Sequence, residues 1–409
     1  MSKPPNYLVA PAGPSTLQIH HPYHPPPGFE SVAPAVYRAS TVIFPNVAAL
    51  RKRDWQHKTG YTYGLHGTPS TFMLEERIAT LEGGKYCTLV PSGLAAVVLV
   101  GMALLKSGDE LLIPDNAYGP NKAFASVELA AWGITHRFYN PMNPDDLAGK
   151  LSDRTRLVWL EAPGSITLEF PDLPALVAVV KAHTHCHAQG IVTALDNTWG
   201  AGIAFNAFDL GADISAQALT KYPSGGADVL MGSVVTQSQL LHQLIHLCHM
   251  RTGYGVAGND VELILRGLNS MALRYAAQDT ATRELAAWMQ AQPQIEKVFH
   301  PALPDSPGHE FWKRDCKAAA CLFSVAFQPE FSQQQVDKFC DSLKLFKLGY
   351  SWAGPMSLVV PYDIASVRTM GWAHNGGFVR LSTGLEDVAD LKADLAQALD
   401  CLNLSKNTL

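Results

Sequence analysis

No segment of this chain is apolar for long enough to cross a membrane. The longest run, Gly93–Leu105, is bounded by Ser92 and Lys106 and falls well short of the ~20 residues that a helical span requires. Cysteine is sparse: the 7 residues, Cys87, Cys186, Cys248, Cys316, Cys321, Cys340 and Cys401, are an odd number without a CxxC pair. Neither a disulfide framework nor a zinc ribbon is indicated. A surplus of basic charge is also missing, since Lys plus Arg is 31 against 36 for Asp plus Glu, a net charge of −5. Such a chain has no positive field with which to wrap nucleic acid or anionic lipid. The N-terminus lacks the charged region, apolar core and small-residue cleavage site of a secretory signal. The expectation is a cytoplasmic protein with no nucleic-acid or membrane partner.

What is present fits a large globular enzyme. Hydrophobic residues make up 47% and charged residues 16% of 409, too apolar a balance for a disordered chain. Nine of the 27 prolines precede residue 35, and their fixed φ and missing amides predict an extended arm over 1–62. From Gly83 onward short β-rich runs alternate with helical stretches. Strands are predicted at Glu110–Pro114, Ile134–Tyr139, Leu157–Glu161, Ile191–Asp196, Ile214–Ala218 and Ser233–Thr236. Helices are predicted at Leu94–Lys106, Lys122–Trp132 and Leu173–Gln189. This alternation implies βαβ units and a mainly parallel sheet over 63–266. Ligands collect at the carboxyl ends of such strands. Over 267–409 long helices, then strands near Leu322–Phe327, Leu358–Val360 and Phe378–Leu381, then a final helix from about Glu386 to Leu402 predict a smaller α+β domain.

The strand-end rule draws attention to three places. Strand Ile191–Asp196 delivers a carboxylate at its end, which either caps a turn or serves a site. Strand Ile214–Ala218 is followed by Thr220-Lys221-Tyr222 and then Ser224-Gly225-Gly226. A Lys there is either a solvated loop residue or a buried amine with a covalent role. Pro91-Ser92-Gly93-Leu94-Ala95-Ala96 opens a helix with small residues, which packs closely or receives a phosphate on its free amides. With Tyr118 as a stacking aromatic, these parts match the needs of pyridoxal 5′-phosphate: a phosphate cradle, a ring partner, an acid for the pyridine nitrogen and a Schiff-base lysine.

In Tyr63-Gly64-x-x-Gly67-Thr68, Leu81-Glu82-Gly83-Gly84, Pro91-x-Gly93-x-Ala95-Ala96, Asp196-Asn197-Thr198-Trp199, Thr220-Lys221-Tyr222, Tyr350-Ser351-Trp352 and Gly384-Leu385-Glu386-Asp387 the chain resembles the Cys/Met-metabolism family of PLP-dependent enzymes. Pro163-Gly164-Ser165-Ile166-Thr167-x-Glu169 and Gly308–Asp315 are similar to its cystathionine β-lyase branch. The resemblance implies the aspartate aminotransferase-like transferase fold (fold type I) and α,β-elimination of an amino-acid thioether, cystathionine, in methionine biosynthesis. It also implies a homotetramer built from two active dimers. It makes Lys221 the Schiff-base lysine and base, Asp196 the partner of the ring nitrogen, and Tyr118 the stacking ring. Gly93, Leu94 and Thr220 then hold the phosphate, and Arg380, Ser351, Trp352 and Ser165 form the substrate pocket. Tyr63 reaches the cofactor and substrate of a neighbouring subunit. The family usually has Arg two residues after Tyr63, but here Leu65 stands, followed by His66, so either His66 or another cation replaces that Arg or the cofactor is held more weakly. Cystathionine γ-synthase or γ-lyase, methionine γ-lyase and a PLP-binding regulatory protein are the rival readings.

Histidines also cluster. His242, His246 and His249 share a helix face; His183, His185 and His187 lie at a helix end, and His20, His21 and His24 in the arm. No carboxylate or open-site pattern accompanies them, and no metal is expected.

Overall fold

The computed structural model describes residues 13–22, 27–29, 31–54, 60–183 and 190–404. The arm departs from the extended form expected over 1–62. Pro14 begins α1 (Pro14–Ile19), where its missing amide has no partner to lose. Buried Gln18 then donates Nε2 to Arg77 O at 3.4 Å and docks this turn on the body. Asn46 accepts from Ala49 N and caps α2 (Val47–Arg51). Local capping thus overrides the extended bias that proline density suggested.

The next region is a seven-stranded sheet with helices on both faces. In chain order it comprises α3 (Pro69–Leu81), β1 (Tyr86–Val90), α4 (Gly93–Leu104), β2 (Glu110–Pro114), α5 (Gly119–Phe124), β3 (Thr135–Tyr139) and α6 (Pro144–Lys150). There follow β4 (Thr155–Glu161), α7 (Leu173–Ala182), β5 (Val192–Asp196), β6 (Ile214–Ala218), β7 (Gly232–Thr236), α8 (Gln239–Thr252) and α9 (Gly258–Leu268). Strand order is β1-β7-β6-β5-β4-β2-β3. All neighbours are parallel except β7, which runs antiparallel to both β1 and β6. The mainly parallel sheet expected from the alternation is therefore present. Strand β4 is apolar on both faces: Leu157 and Trp159 cluster with α4 and α8, whereas Val158 and Leu160 cluster with α3 and α7. Successive residues serve opposite layers, as doubly covered parallel strands require. Each such buried side chain contributes about 1.5–3 kcal/mol.

Two predicted helices change form. The one expected over Lys122–Trp132 is α5 followed by a π-turn at Ala125–Leu129, a local widening that composition does not encode. The one expected over Leu173–Gln189 stops at Ala182 with His183 extended; 184–189 lie outside the described residues.

Long α10 (Met271–Gln290) leads into a five-stranded sheet built from β8 (Ile295–Phe299), α11 (His309–Asp315), β9 (Leu322–Phe327), α12 (Gln333–Ser342), β10 (Lys347–Leu348), β11 (Leu358–Tyr362), α13 (Ile364–Val367), β12 (Phe378–Ser382) and α14 (Val388–Leu404). Its order is β10-β11-β12-β9-β8, and α10, α12 and α14 supply the helical side of its core. Within this sheet β8 and β10 are additions to the predicted strands. Among the described residues no helix is long and apolar enough to cross a membrane.

Candidate active site

The carboxyl ends of β4, β5 and β6, the first turn of α4 and several segments of the C-terminal sheet region surround one cavity of about 490 Å³. Gly93 explains how α4 reaches it. A Cβ at Gly93 would stand 2.5 Å from Ala218 Cβ, and one at Gly232 would stand 2.3 Å from Ser92 O. Without side chains at both positions, the helix start wedges between β6 and β7. Ser92 caps it, accepting from Ala95 N at 3.0 Å, and the Gly93 and Leu94 amides open the helix beside the cavity.

Asp196 ends β5, and the Thr198 amide (3.0 Å) and hydroxyl (2.6 Å) both donate to its Oδ1. Thr198 Oγ1 also accepts from Ala218 N at 3.0 Å, so the same hydroxyl ties β5 to β6. Burial pushes the Asp196 carboxyl up, while the Thr198 bonds and the Lys221 charge oppose it. In the parallel register Glu161 stands opposite Asp196. Glu161 accepts from Tyr118 N at 2.7 Å, and burial followed by the Asp196 charge raises it well above the usual range. A buried carboxyl, Glu161, and a partly buried one, Asp196, on adjacent strands therefore face one cavity, a situation that a cationic ligand relieves.

Lys221 donates Nζ to Ser351 Oγ at 2.6 Å and lies 5.5 Å from the centre of the Trp352 ring. Ser351 adopts φ 118°, a region costing non-glycine residues on the order of 1–3 kcal/mol and found at functional sites. Burial and then the Arg380 charge lower the Lys221 amine from 10.5 to about 8. Between those values the unfolded chain holds a proton that the folded chain has released, so stability from this group rises with pH there. Relative to Lys221→Met, the unfolding free energy of the cofactor-free protein is expected to increase between about pH 8 and pH 10 in urea titrations. A flat difference would mean a solvated amine.

Arg380, on β12, is 7% exposed; it donates Nη1 to Ser165 O at 3.0 Å and stacks 5.3 Å from the Tyr362 ring centre. Gly93, Leu94, Tyr118, Ser165, Asp196, Thr220, Lys221, Ser351, Trp352 and Arg380 all line this cavity. Thr220 directs its hydroxyl to Met231 O and accepts from Met231 N. Tyr63 lies apart, 47% exposed beside the Thr41 bridge and absent from the lining. Leu65 packs near Gly255, and His66 Nδ1 pairs with Thr62 Oγ1 at 2.7 Å. Neither lines the cavity. Sequence reasoning missed Glu161, Thr198 and Tyr362. Glu161 carried the same signal as Asp196, an acid ending a buried apolar strand.

The predicted histidine cluster of α8 forms a column of rings, His242 to His246 at 5.5 Å and His246 to His249 at 6.3 Å. Among the described residues no group of three or more His, Cys, Asp or Glu side chains is arranged to hold a metal ion. His24, His185 and His187 lie outside the described residues.

The residues present fit pyridoxal 5′-phosphate. A helix start kept open by glycine suits the phosphate, a carboxyl at a strand end whose ionised form is disfavoured by desolvation suits a protonated ring nitrogen, and a lysine held partly neutral suits an aldehyde. The family model for the Cys/Met metabolism PLP-dependent enzymes matches residues 15–400. The chain is 36% identical over 370 residues to the cystathionine beta-lyase MetC of Escherichia coli, covering 89% of this chain and 92% of that protein. It is 37% identical over 386 residues to the cystathionine beta-lyase of Bordetella avium, covering 93% and 94%. The solved structure of metB from Corynebacterium glutamicum is similar with a TM-score of 0.87 at 28% identity, over 96% of this chain and 99% of that one. Matched along nearly its whole length, and with a site whose donors suit the cofactor, the chain belongs to the Cys/Met metabolism family of PLP-dependent enzymes.

Proposed function

We propose that this enzyme is a carbon–sulfur lyase that converts L-cystathionine and water to homocysteine, pyruvate and ammonia, as a cytoplasmic step of methionine biosynthesis. The observation that carries this reading is the convergence of Lys221, Asp196, Tyr118 and Arg380 on one cavity. Bound pyridoxal 5′-phosphate supplies the electron sink that makes the substrate Cα proton acidic and lets the β-sulfur depart. The Gly93 and Leu94 amides and Thr220 would hold its phosphate, Tyr118 would lie against its ring, and Asp196 would keep a proton on its nitrogen. The Lys221 amine, neutral in part near physiological pH, takes the Cα proton. Once protonated, Nζ is held by Ser351 Oγ and the Trp352 face, and from there it would pass its proton to the departing sulfur. The second carboxyl, Glu161, fixes the Tyr118 backbone and with it the ring that would lie against the cofactor.

Arg380 binds the substrate carboxylate through two parallel N–H···O bonds. Arg380→Lys loses one of them, about 2 kcal/mol, which is roughly thirtyfold in kcat/KM. Steady-state kinetics should show this mainly in KM; an unchanged KM removes Arg380 from that role. Exposed Tyr63 would act on a neighbouring subunit, in a tetramer of two active dimers.

The test is product analysis of the purified holoenzyme with cystathionine. Pyruvate and thiol in equal amounts support the reading. 2-Oxobutyrate, or cystathionine formed from an activated homoserine and cysteine, would assign the γ-type reaction, and turnover no faster than free cofactor would leave a PLP-binding regulatory protein.

A further inference from the structure

Behind the substrate end of the cavity, segment 367–370 of the C-terminal region is gripped by Asp115, which directly follows β2. Arg368 Nε donates to Asp115 Oδ2 at 2.7 Å, Thr369 N to Oδ1 at 2.9 Å, Thr369 Oγ1 to Oδ1 at 2.5 Å and Met370 N to Oδ2 at 3.2 Å. Lys122 Nζ spans the same junction, donating to Asp115 O at 2.8 Å and to Val367 O at 2.7 Å. Val367 itself lines the cavity. Although burial pushes Asp115 up, the Thr369 and Arg368 bonds and the Lys122 charge prevail and hold it at about 2.

The same guanidinium has a second partner. Arg368 Nη1 donates to Glu169 Oε1 at 2.7 Å and to Thr167 Oγ1 at 3.1 Å. Glu169 Oε2 accepts from Thr167 Oγ1 and Asn116 Nδ2, while Glu169 O accepts from Gly164 N and Asn116 O from Ser165 N. The last link is Ser165 O, which accepts from Arg380 Nη1. Side-chain exposure is 9% for Arg368, 0% for Asp115 and 8% for Glu169, so the bridge lies out of solvent. Buried ion pairs often add little stability over apolar residues of the same size. What a planar, forked guanidinium adds is a fixed geometry between two acceptors.

We propose that Arg368 is a positioning residue for substrate: bridging Asp115 and Glu169, it fixes loop 163–169 so that the Ser165 carbonyl holds Arg380 in the orientation that receives the substrate carboxylate. This rests on the reading of Arg380 given above, and two measurements separate its failure from that of the lyase assignment. In the holoenzyme, Arg368→Ala should raise KM about tenfold with kcat within about twofold, because a displaced binding group weakens capture, and the cofactor absorbance spectrum should match the native one. In the cofactor-free protein, the Gly164 and Ser165 amides should exchange hydrogen at least about tenfold faster, with those of Val158 and Leu160 unchanged. Arg368→Lys, which reaches one carboxylate, should fall between native and Ala in both measurements. It carries the test if the Ala variant does not fold. Native KM with native exchange at 164 and 165 overturns the proposal. So does a parallel loss of kcat, cofactor band and global protection in both variants, since that would mark a residue that only holds the fold. If native enzyme yields no pyruvate, the lyase assignment fails while the exchange result still decides whether Arg368 orders the loop.

Discussion

Lys221→Ala is expected to lose the visible absorbance of covalently held cofactor and at least about 10³-fold of turnover, since both nucleophile and base vanish together. The fold should survive. The amine contributes only the Ser351 bond and the Trp352 ring contact, and burying it is itself unfavourable. Next to it, Tyr222 anchors the turn independently: its hydroxyl accepts from Cys321 N at 2.8 Å, and its ring packs 4.3 Å from Tyr275. Circular dichroism and a thermal midpoint at or above the native value would confirm intact packing. The complementary measurement is borohydride reduction of the native holoenzyme followed by peptide mass spectrometry, with the adduct expected on Lys221. An adduct elsewhere, or none, would remove the basis of the proposed chemistry.

Asp196→Ala is expected to lower kcat by about 10²–10³-fold, the scale associated with deleting one preorganised electrostatic group. Truncation also leaves Thr198 Oγ1 without the acceptor it has at 2.6 Å, costing about 1–3 kcal/mol of stability. Asp196→Asn separates the two effects, because its amide oxygen can still accept from Thr198 while the charge is gone. An equal loss of kcat in Asn and Ala variants, with native stability in the former, assigns the effect to charge. Near-native turnover in Asp196→Asn would refute the role of the acid. The reason to expect a large effect lies in the setting beside Glu161: burial pushes both carboxyls up, and the Asp196 charge raises Glu161 further. A cation bound between them is the condition under which Asp196 ionises readily.

Lys221 and Asp196 were legible from the chain because one follows and the other ends a short strand, and parallel sheets present such positions to ligands. The predicted Ile191–Asp196 and Ile214–Ala218 correspond to β5 and β6, the first shorter by one residue. Gly93 was legible as part of a helix opened by small residues, though its close approach to Ala218 was not. Other features had no local signature. Ser351 meets Lys221 from 130 residues away, Arg368 meets Asp115 from 253 residues away, and the π-turn after α5 follows no compositional rule. Pro-rich composition over 1–62 was read as extension, but a proline at a helix start and an asparagine cap turned two pieces of the arm helical.

The chain alone determined most of the alternation of strands and helices from Gly83 onward and the acid and amine at strand ends, because apolar patterning and composition are short-range properties. Tertiary structure decided which distant groups share the cavity, how Glu161 faces Asp196, and that Tyr63 stands away from its own site. Those relations depend on strand order and on how the C-terminal sheet seats against the first, which neighbouring residues along a chain do not record.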